Sequence, residues 1–294
     1  MVSTTQQSLA TTNQLAHVTR PARALIGWMS QQEGQLFLAG RQIQNAQKPE
    51  YITKVQEARA AVQNRQPGVD QSELLAQVPP ELQEYLASFQ SQDAFKPFAD
   101  EKWLPKIANL RKVCALQPVV FWDHAEERAT SADPAEMLSV AKITLSIPDR
   151  AEIPLQYDQS RNTWMITSRN LNLKIVGNFS APIQGFTGCG FLVAVSASFV
   201  QVVLHRGRYL LRDGYHRSLG LLARGITNVP VLYREFSEYE NLGLPAGMLQ
   251  AQSYLGERPP LLEDYLNNDV ASEVLLPASQ KMIVVQGMEM NPLG

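Results

Sequence analysis

Cysteine is scarce in this chain: Cys114 and Cys189 are the two in 294 residues. Neither their number nor their spacing suits a disulfide framework or a zinc site, so two buried free thiols in a reducing cytoplasm are expected. Charge is sparse too, at 18% Asp, Glu, Lys and Arg, with a net charge of -2. A domain that grips nucleic acid through phosphates normally carries a basic surplus, so nucleic acid is not an expected partner. Long hydrophobic runs are absent. The longest, Phe191 to Leu204, is broken by Ser196, Ser198 and Gln201 and is too short to span a bilayer as a helix. The N-terminus lacks the charged start and apolar core of a secretory signal. These absences predict a soluble, cytoplasmic protein with no membrane partner.

What is present is apolar content. Hydrophobic residues make up 45% of the chain, enough to fill one large or two modest cores. Residues 1–22 are rich in Thr, Gln and Ser without periodicity and predict a flexible arm. Residues 23–135 predict a helical domain. Tyr51, Ile52, Val55, Ala58 and Val62 share one helical face. Pro79-Pro80 precede Leu82, Tyr85, Leu86 and Phe89, with proline suited to a helix start. Trp103, Leu104, Ile107, Leu110, Val113 and Cys114 form a further stripe, with Asp100 placed as its cap.

Strand patterns dominate 136–240. Residues 141–147, 164–167 and 171–176 alternate, a turn-rich passage covers 177–190, and the apolar run after it predicts a strand buried on both faces. Phe199 to Leu211 reads as a hairpin whose turn exposes His205. A short helix stopped by Gly225 and a strand at 226–233 follow. Residues 241–294 form an extension packed on this domain, with a helix at 260–266 and a final strand pair at 274–276 and 282–285. The fold class is α+β, a helical N-terminal region followed by a mixed sheet. Trp28, Trp103, Trp122 and Trp164 lie in apolar patterns and read as core rather than as stacking platforms.

Chemistry concentrates at Arg212-Asp213-Gly214-Tyr215-His216-Arg217-Ser218, between the hairpin and the short helix. Free N–H groups at a helix start favour an anion. Asp213 can cap the helix, and Gly214 permits a sharp turn and close approach of a ligand. His216 and Arg217 put positive charge where the helix dipole is already positive, which an anion would offset. Arg217 suits a phosphate clamp, His216 a donor or proton carrier, and Ser218 a hydroxyl donor. The plain alternative is a strand–turn–helix with Asp213 as cap and the charges in solvent.

The segment Phe199–Phe236, ending in RYLLRDGYHRSLGLLARGITNVPVLYREF, resembles the core of the ParB/sulfiredoxin superfamily. The shared pattern is a hairpin, a D-G-x-H-R-like turn, a short helix ending in glycine and a V-P-V strand. The resemblance implies a bacterial-type, ParB-like nucleotide-binding domain over about 136–240, holding CTP or ATP, with or without magnesium. By that resemblance Gly214, Tyr215, Arg217, Ser218 and Arg212 hold phosphate, while His216 and Asp213 are the catalytic candidates. Tyr215 stands where sulfiredoxins carry their catalytic cysteine, which argues against sulfinic-acid reduction. Partitioning members carry an Arg-Arg pair where this chain has His216-Arg217, and their downstream helix-turn-helix has no counterpart in 237–294. The glutamate of the kinase members is not placed, Glu152 being the nearest upstream.

Two further groups carry possible ligand chemistry. Asp123, His124, Glu126 and Glu127 contain metal-ligand chemistry, yet the same string is an ordinary acidic first helical turn. Gly185 to Gly190 is glycine-rich but precedes a strand, which predicts a flexible turn rather than a phosphate loop. The expected function is binding a nucleotide or other phosphorylated small molecule, with phosphotransferase or nucleotide hydrolase chemistry if it is an enzyme. The alternative is a non-catalytic adaptor with a vestigial pocket, binding a protein partner through its helical region.

Overall fold

The structure, a computed structural model, describes residues 19–147, 153, 155–168, 173–195, 197–278 and 281–287. Its helices are α1 (Gln31–Leu38), α2 (Pro49–Gln63), α3 (Gln83–Gln90), α4 (Lys96–Asp100), α5 (Trp122–Ala129), α6 (Met137–Thr144), α7 (Tyr215–Ala223) and α8 (Ala251–Leu255). Four strands lie among the early helices: β1 (Thr19–Ala24), β2 (Leu75–Ala76), β3 (Leu104–Asn109) and β4 (Val119–Phe121). The others are β5 (Leu155–Asp158), β6 (Thr163–Ser168), β7 (Leu173–Ile183), β8 (Phe186–Val195), β9 (Gln201–His205), β10 (Arg208–Asp213), β11 (Asn228–Phe236), β12 (Ser272–Pro277) and β13 (Lys281–Gln286). The chain is mixed α+β, with helices concentrated in its N-terminal part.

A five-stranded sheet, ordered β10-β9-β11-β3-β2, carries the site. β9 and β10 form the expected hairpin, and β11 returns parallel to β9 after α7. Strand alternation sends the two sets of side chains to opposite faces. Val202, Leu211, Val229 and Val231 join one cluster with Leu219, Leu221 and Leu222 of α7. Val203, Leu210 and Leu232 join another with Phe89, Phe95, Trp103 and Tyr254. Each fully buried leucine of α7 contributes about 1.5–3 kcal/mol by leaving water, so α7 is fixed by the sheet beneath it rather than by its own propensity.

A second sheet, β12-β1-β4, ties residues near both ends of the described chain together: Ala22 pairs with Val274 and with Phe121. A third, β13-β6-β5, lies against the base of the β7–β8 hairpin through a small separate cluster of Ile166, Leu173 and Ile283.

Several expectations are corrected. The 103–114 stripe contains β3, not a helix, and Asp100 ends α4 instead of capping it. Pro105 lacks an N–H and cannot sit inside a helix, while β3 has a full partner in β11 and only the short β2 on its other side. Residues 141–144 belong to α6, because Val140, Ala141, Ile143 and Thr144 also satisfy helical spacing and are buried together. The 177–190 passage is strand on both sides of a two-residue turn at Gln184-Gly185, where both φ angles are positive. The apolar run after it splits between β8 and β9, and Phe191 and Leu192 are exposed rather than buried. Residues 262–266 form a 3-10 turn, and β12 and β13 pair with β1 and β6, not with each other. Trp164 is exposed, as is Cys189, whereas Cys114 is buried. His205 is 1% exposed, its Nδ1 lying 2.7 Å from the Tyr254 hydroxyl. Residues 1–18, including His17, and residues 148–152 lie outside the described residues.

Candidate functional site

β10 delivers the turn. Its pairing with β9 slips between Leu211 and Asp213, so one extra residue is accommodated next to the site. Gly214 follows at φ 93°, a left-handed conformation that disfavours any Cβ, and it stands at the N-cap of α7. A Cβ there would lie 2.8 Å from Val200 Cγ2 and 2.9 Å from Val200 Cα. The close approach that requires glycine is therefore to Val200, not to a ligand.

Asp213 locks this turn. One carboxylate oxygen accepts the Gly214 N–H at 2.6 Å and the other accepts the Ser198 hydroxyl at 3.1 Å. It does not cap the helix by accepting from later amides; α7 has no side-chain cap. The Ser218 N–H closes the first helical bond to the Gly214 carbonyl at 2.9 Å. The N–H groups of Tyr215, His216 and Arg217 find no carbonyl or side-chain partner among the described residues.

The other predicted residues divide. The Arg217 guanidinium is half-buried and donates through Nη1 to the Ser198 carbonyl. It has no carboxylate within ion-pair distance among the described residues. Burial, and then Arg128, disfavour its charge, with Asp213 opposing them. Tyr215 is a strut of the core. Its hydroxyl donates to the Leu211 carbonyl at 2.6 Å and accepts the Leu116 N–H at 2.8 Å, so its phenol does not face a ligand. Ser218 is fully buried, and its Oγ has no partner among the described residues. Arg212 is directed elsewhere, to Gln201 Oε1 and the Leu242 carbonyl at 2.5 Å each, with its guanidinium over the Trp103 ring. Arg206 and Arg208 sit at the far end of the hairpin from Asp213, so the basic interval does not converge.

The structure supplies neighbours that no local pattern revealed. α5 crosses α7 so closely that a Cβ on Gly220 would fall 2.0 Å from the Ala125 carbonyl oxygen. This brings the His124 ring 5.4 Å from His216, edge to face. Arg20 of β1 reaches in, donating Nε to Asp123 at 2.6 Å and Nη1 to His124 Nε2 at 2.5 Å. A guanidinium only donates, so His124 Nε2 accepts and its proton resides on Nδ1. Arg128, on the same helix, is exposed and unpaired among the described residues.

This setting decides the charge of His216. Burial, then His124, Arg128 and Arg20, push its pKa down to about 4, with Asp123 opposing. At neutral pH the imidazole is therefore uncharged, contrary to the expectation of two positive side chains in the first turn. Its Nε2 is buried without a partner among the described residues. Asp123 and His124 belong to an ion-pair network with Arg20, and the described residues contain no group of three or more metal-ligating side chains.

Residues 213–218 line none of the four best-formed cavities, of 320–550 Å³, among the described residues. Gly214, Tyr215 and Ser218 at the start of α7 are buried, and His216 and Arg217 are half-buried. No helix among the described residues is long and apolar enough to cross a membrane. No protein family, curated protein or solved structure matches the chain.

Proposed function

We propose that the chain binds an anionic phosphorylated ligand at the start of α7, with a nucleotide as the class the ParB-like resemblance implies. The observation that carries this reading is Arg217. Its guanidinium is half-buried and lacks a carboxylate partner, and its Nε and Nη2 have no acceptor among the described residues. Burying a charge without a counter-charge is costly, and an oxyanion beside the free amides of 215–217 would remove that cost. Arg128 adds exposed positive charge near Arg217 and His216. In this reading Arg217 and the backbone after Gly214 hold phosphate, and Asp213 fixes the turn. Neutral His216 donates to the ligand or accepts a proton if phosphoryl transfer or hydrolysis occurs. Asp213 is a lone carboxylate with both oxygens engaged, so magnesium would take most of its ligands from the phosphates themselves.

The second reading, a non-catalytic interaction protein, is favoured by a different observation. Among the described residues, twelve of the eighteen exposed large apolar side chains lie in 155–192 and 282–285, outside the helical region. A thermal-shift series with CTP, ATP, GTP and ADP, with and without magnesium, separates the two. A ligand at ten times its Kd stabilises by about 1.4 kcal/mol, a shift of about 2–4 °C for a chain of this size. The expected result is such a shift from at least one nucleotide, lost in Arg217→Ala. No shift at millimolar concentration from any of them rejects the phosphate reading.

A further inference from the structure

A cavity of about 520 Å³ opens at the last turn of α7, where Leu222 meets three arginines, Arg65, Arg111 and Arg258. They come from three separate segments: the residues after α2, the 3-10 turn after β3 and the loop after α8. Glu263 and Asp264 are the acids in the lining, so the ionised cavity keeps a surplus of positive charge. Its volume falls in the range of about 300–1,000 Å³ common for small-molecule sites.

The walls are held by bonds that leave guanidinium donors free. Asp264 is 4% exposed; its carboxylate accepts two N–H groups of Arg65, at 2.7 and 3.0 Å, and the Leu261 N–H at 2.8 Å. The Arg65 guanidinium also lies over the Trp28 ring, 5.0 Å from its centroid, and the Trp28 indole donates to the Arg258 carbonyl at 2.8 Å. Arg258 Nε donates to the Arg65 carbonyl, and the Gly68 N–H to the Glu257 carbonyl, at 2.7 Å each. Nη2 of Arg258 has no acceptor among the described residues. Glu257, which Arg258 meets at 3.2 Å, is 74% exposed and lies outside the lining, and such an exposed pair binds weakly. The Arg111 side chain makes no hydrogen bond among the described residues, and its ion pair there, with Glu263, is long at 3.8 Å.

We propose that this cavity binds a small organic anion, whose carboxylate or phosphate oxygens are held by Arg111 and Arg258 and whose carbon skeleton lies against Leu222 and Leu261. A guanidinium fork matches such oxyanions two hydrogen bonds at a time. Arg65 is already neutralised by Asp264, so it is a positioning residue: it fixes the wall that carries Arg258. Glu263 stands in for the ligand. Its carboxylate is loosely paired with Arg111, and an entering oxyanion takes Arg111 from it. Burial, and then Asp264 beside it, already disfavour the charge of Glu263, with Arg111 and Arg65 opposing them. The exchange of Glu263 for a ligand oxyanion is therefore easy. This site is separate from the start of α7, since residues 213–218 do not line it.

The test is titration calorimetry of the full chain with citrate and, separately, with glycerol 3-phosphate, each to about 10 mM at fixed ionic strength. A thermal-shift series runs beside it. Binding of either probe is expected, and the tighter of the two assigns the ligand to carboxylic acids or to phosphate esters. Affinity should weaken about tenfold or more in Arg111→Ala and in Arg258→Ala. The Arg111 side chain is 62% exposed, so its variant should keep the wild-type thermal transition. Glu263→Gln should bind more tightly, because a competing carboxylate is removed, and Arg217→Ala should bind as the wild type does. Neither heat nor a thermal shift from either probe overturns the proposal. So does binding that neither arginine variant weakens, or that Glu263→Gln weakens. Binding lost in Arg217→Ala overturns it too and assigns the anion to the start of α7.

Discussion

The His124 and His216 rings, carried by α5 and α7, meet edge to face at 5.4 Å, with Arg20 bonded to Nε2 of His124. Asp123 favours the proton of both imidazoles, but it is held by Arg20, and burial outweighs it in each. Both pKa values are lowered, burial being the first cause in each, and His216 falls to about 4.

This relationship predicts an acid-sensitive fold. The folded pKa of His216 lies below the ordinary value of 6.5, so the unfolded chain binds the extra proton first. Stability is full above pH 6.5 and is lost progressively as pH falls from 6.5 to about 4. The loss from His216 alone is on the order of 2–3 kcal/mol. Urea midpoints measured from pH 7.5 to 4.5 should fall, and His216→Gln should flatten that slope. Equal slopes in both proteins would remove His216 as the cause.

An anion bound beside His216 reverses the sign of that environment. The pKa of His216 should rise on binding, since negative charge favours the imidazolium. NMR titration of the imidazole in the presence of a stabilising nucleotide should show the rise, and Arg217→Ala should abolish it. Arg128→Ala should raise the same pKa without any ligand, because a repelling cation is removed.

The turn itself rests on glycine. Gly214→Ala places a Cβ at φ 93° and 2.8 Å from Val200. Left-handed strain costs about 1–2 kcal/mol, and overpacking adds about 1–3 kcal/mol. Gly220→Ala should be worse, since its Cβ would fall 2.0 Å from the Ala125 carbonyl oxygen, and backbone must move. Calorimetry should show both transitions lowered, with the Gly220 variant lower. It should also lose the His124–His216 contact, which depends on that crossing.

The order in which these features could be read follows range. The hairpin, α7 and its glycine stop were legible because Gly207, Gly214 and Gly225 punctuate them locally, each at positive φ. β3 was not, because Trp103, Ile107 and Leu110 fit a helical stripe as well as a two-faced strand, and only Pro105 argued otherwise. Within the candidate site, Asp213, Gly214, His216 and Arg217 were found from their order along the chain. Arg20, His124 and Arg128 were not assigned to it, since they come from β1 and α5, remote in sequence. The Asp123–Glu127 string was singled out, but for metal chemistry. Its one usable signal was Arg128 following the acids, and nothing local said that this helix crosses α7. Arg212 and Tyr215 were placed by the resemblance of the turn, but the pleat directs Arg212 to Gln201 and Leu242 and the helix turn carries Tyr215 into the core.

The thiols give a last prediction. Cys189 is exposed on β8, whereas Cys114 is fully buried and its pKa is pushed up to about 12, burial being the main cause. The thiolate is the reactive species, so a protonated, buried thiol is inert. One equivalent should therefore react quickly with a disulfide reagent in the native protein at pH 8, and the second only on unfolding. Cys189→Ser should leave a native protein with no fast phase. Labelling of Cys114 in Cys189→Ser should then proceed at a rate that follows opening of the core, rising with urea. A fast phase that survives Cys189→Ser would mean that the sheet around Cys114 opens readily in the native state, and the packing of Cys114 between Leu210 and Leu261, with Gln71 beside it, would need revision.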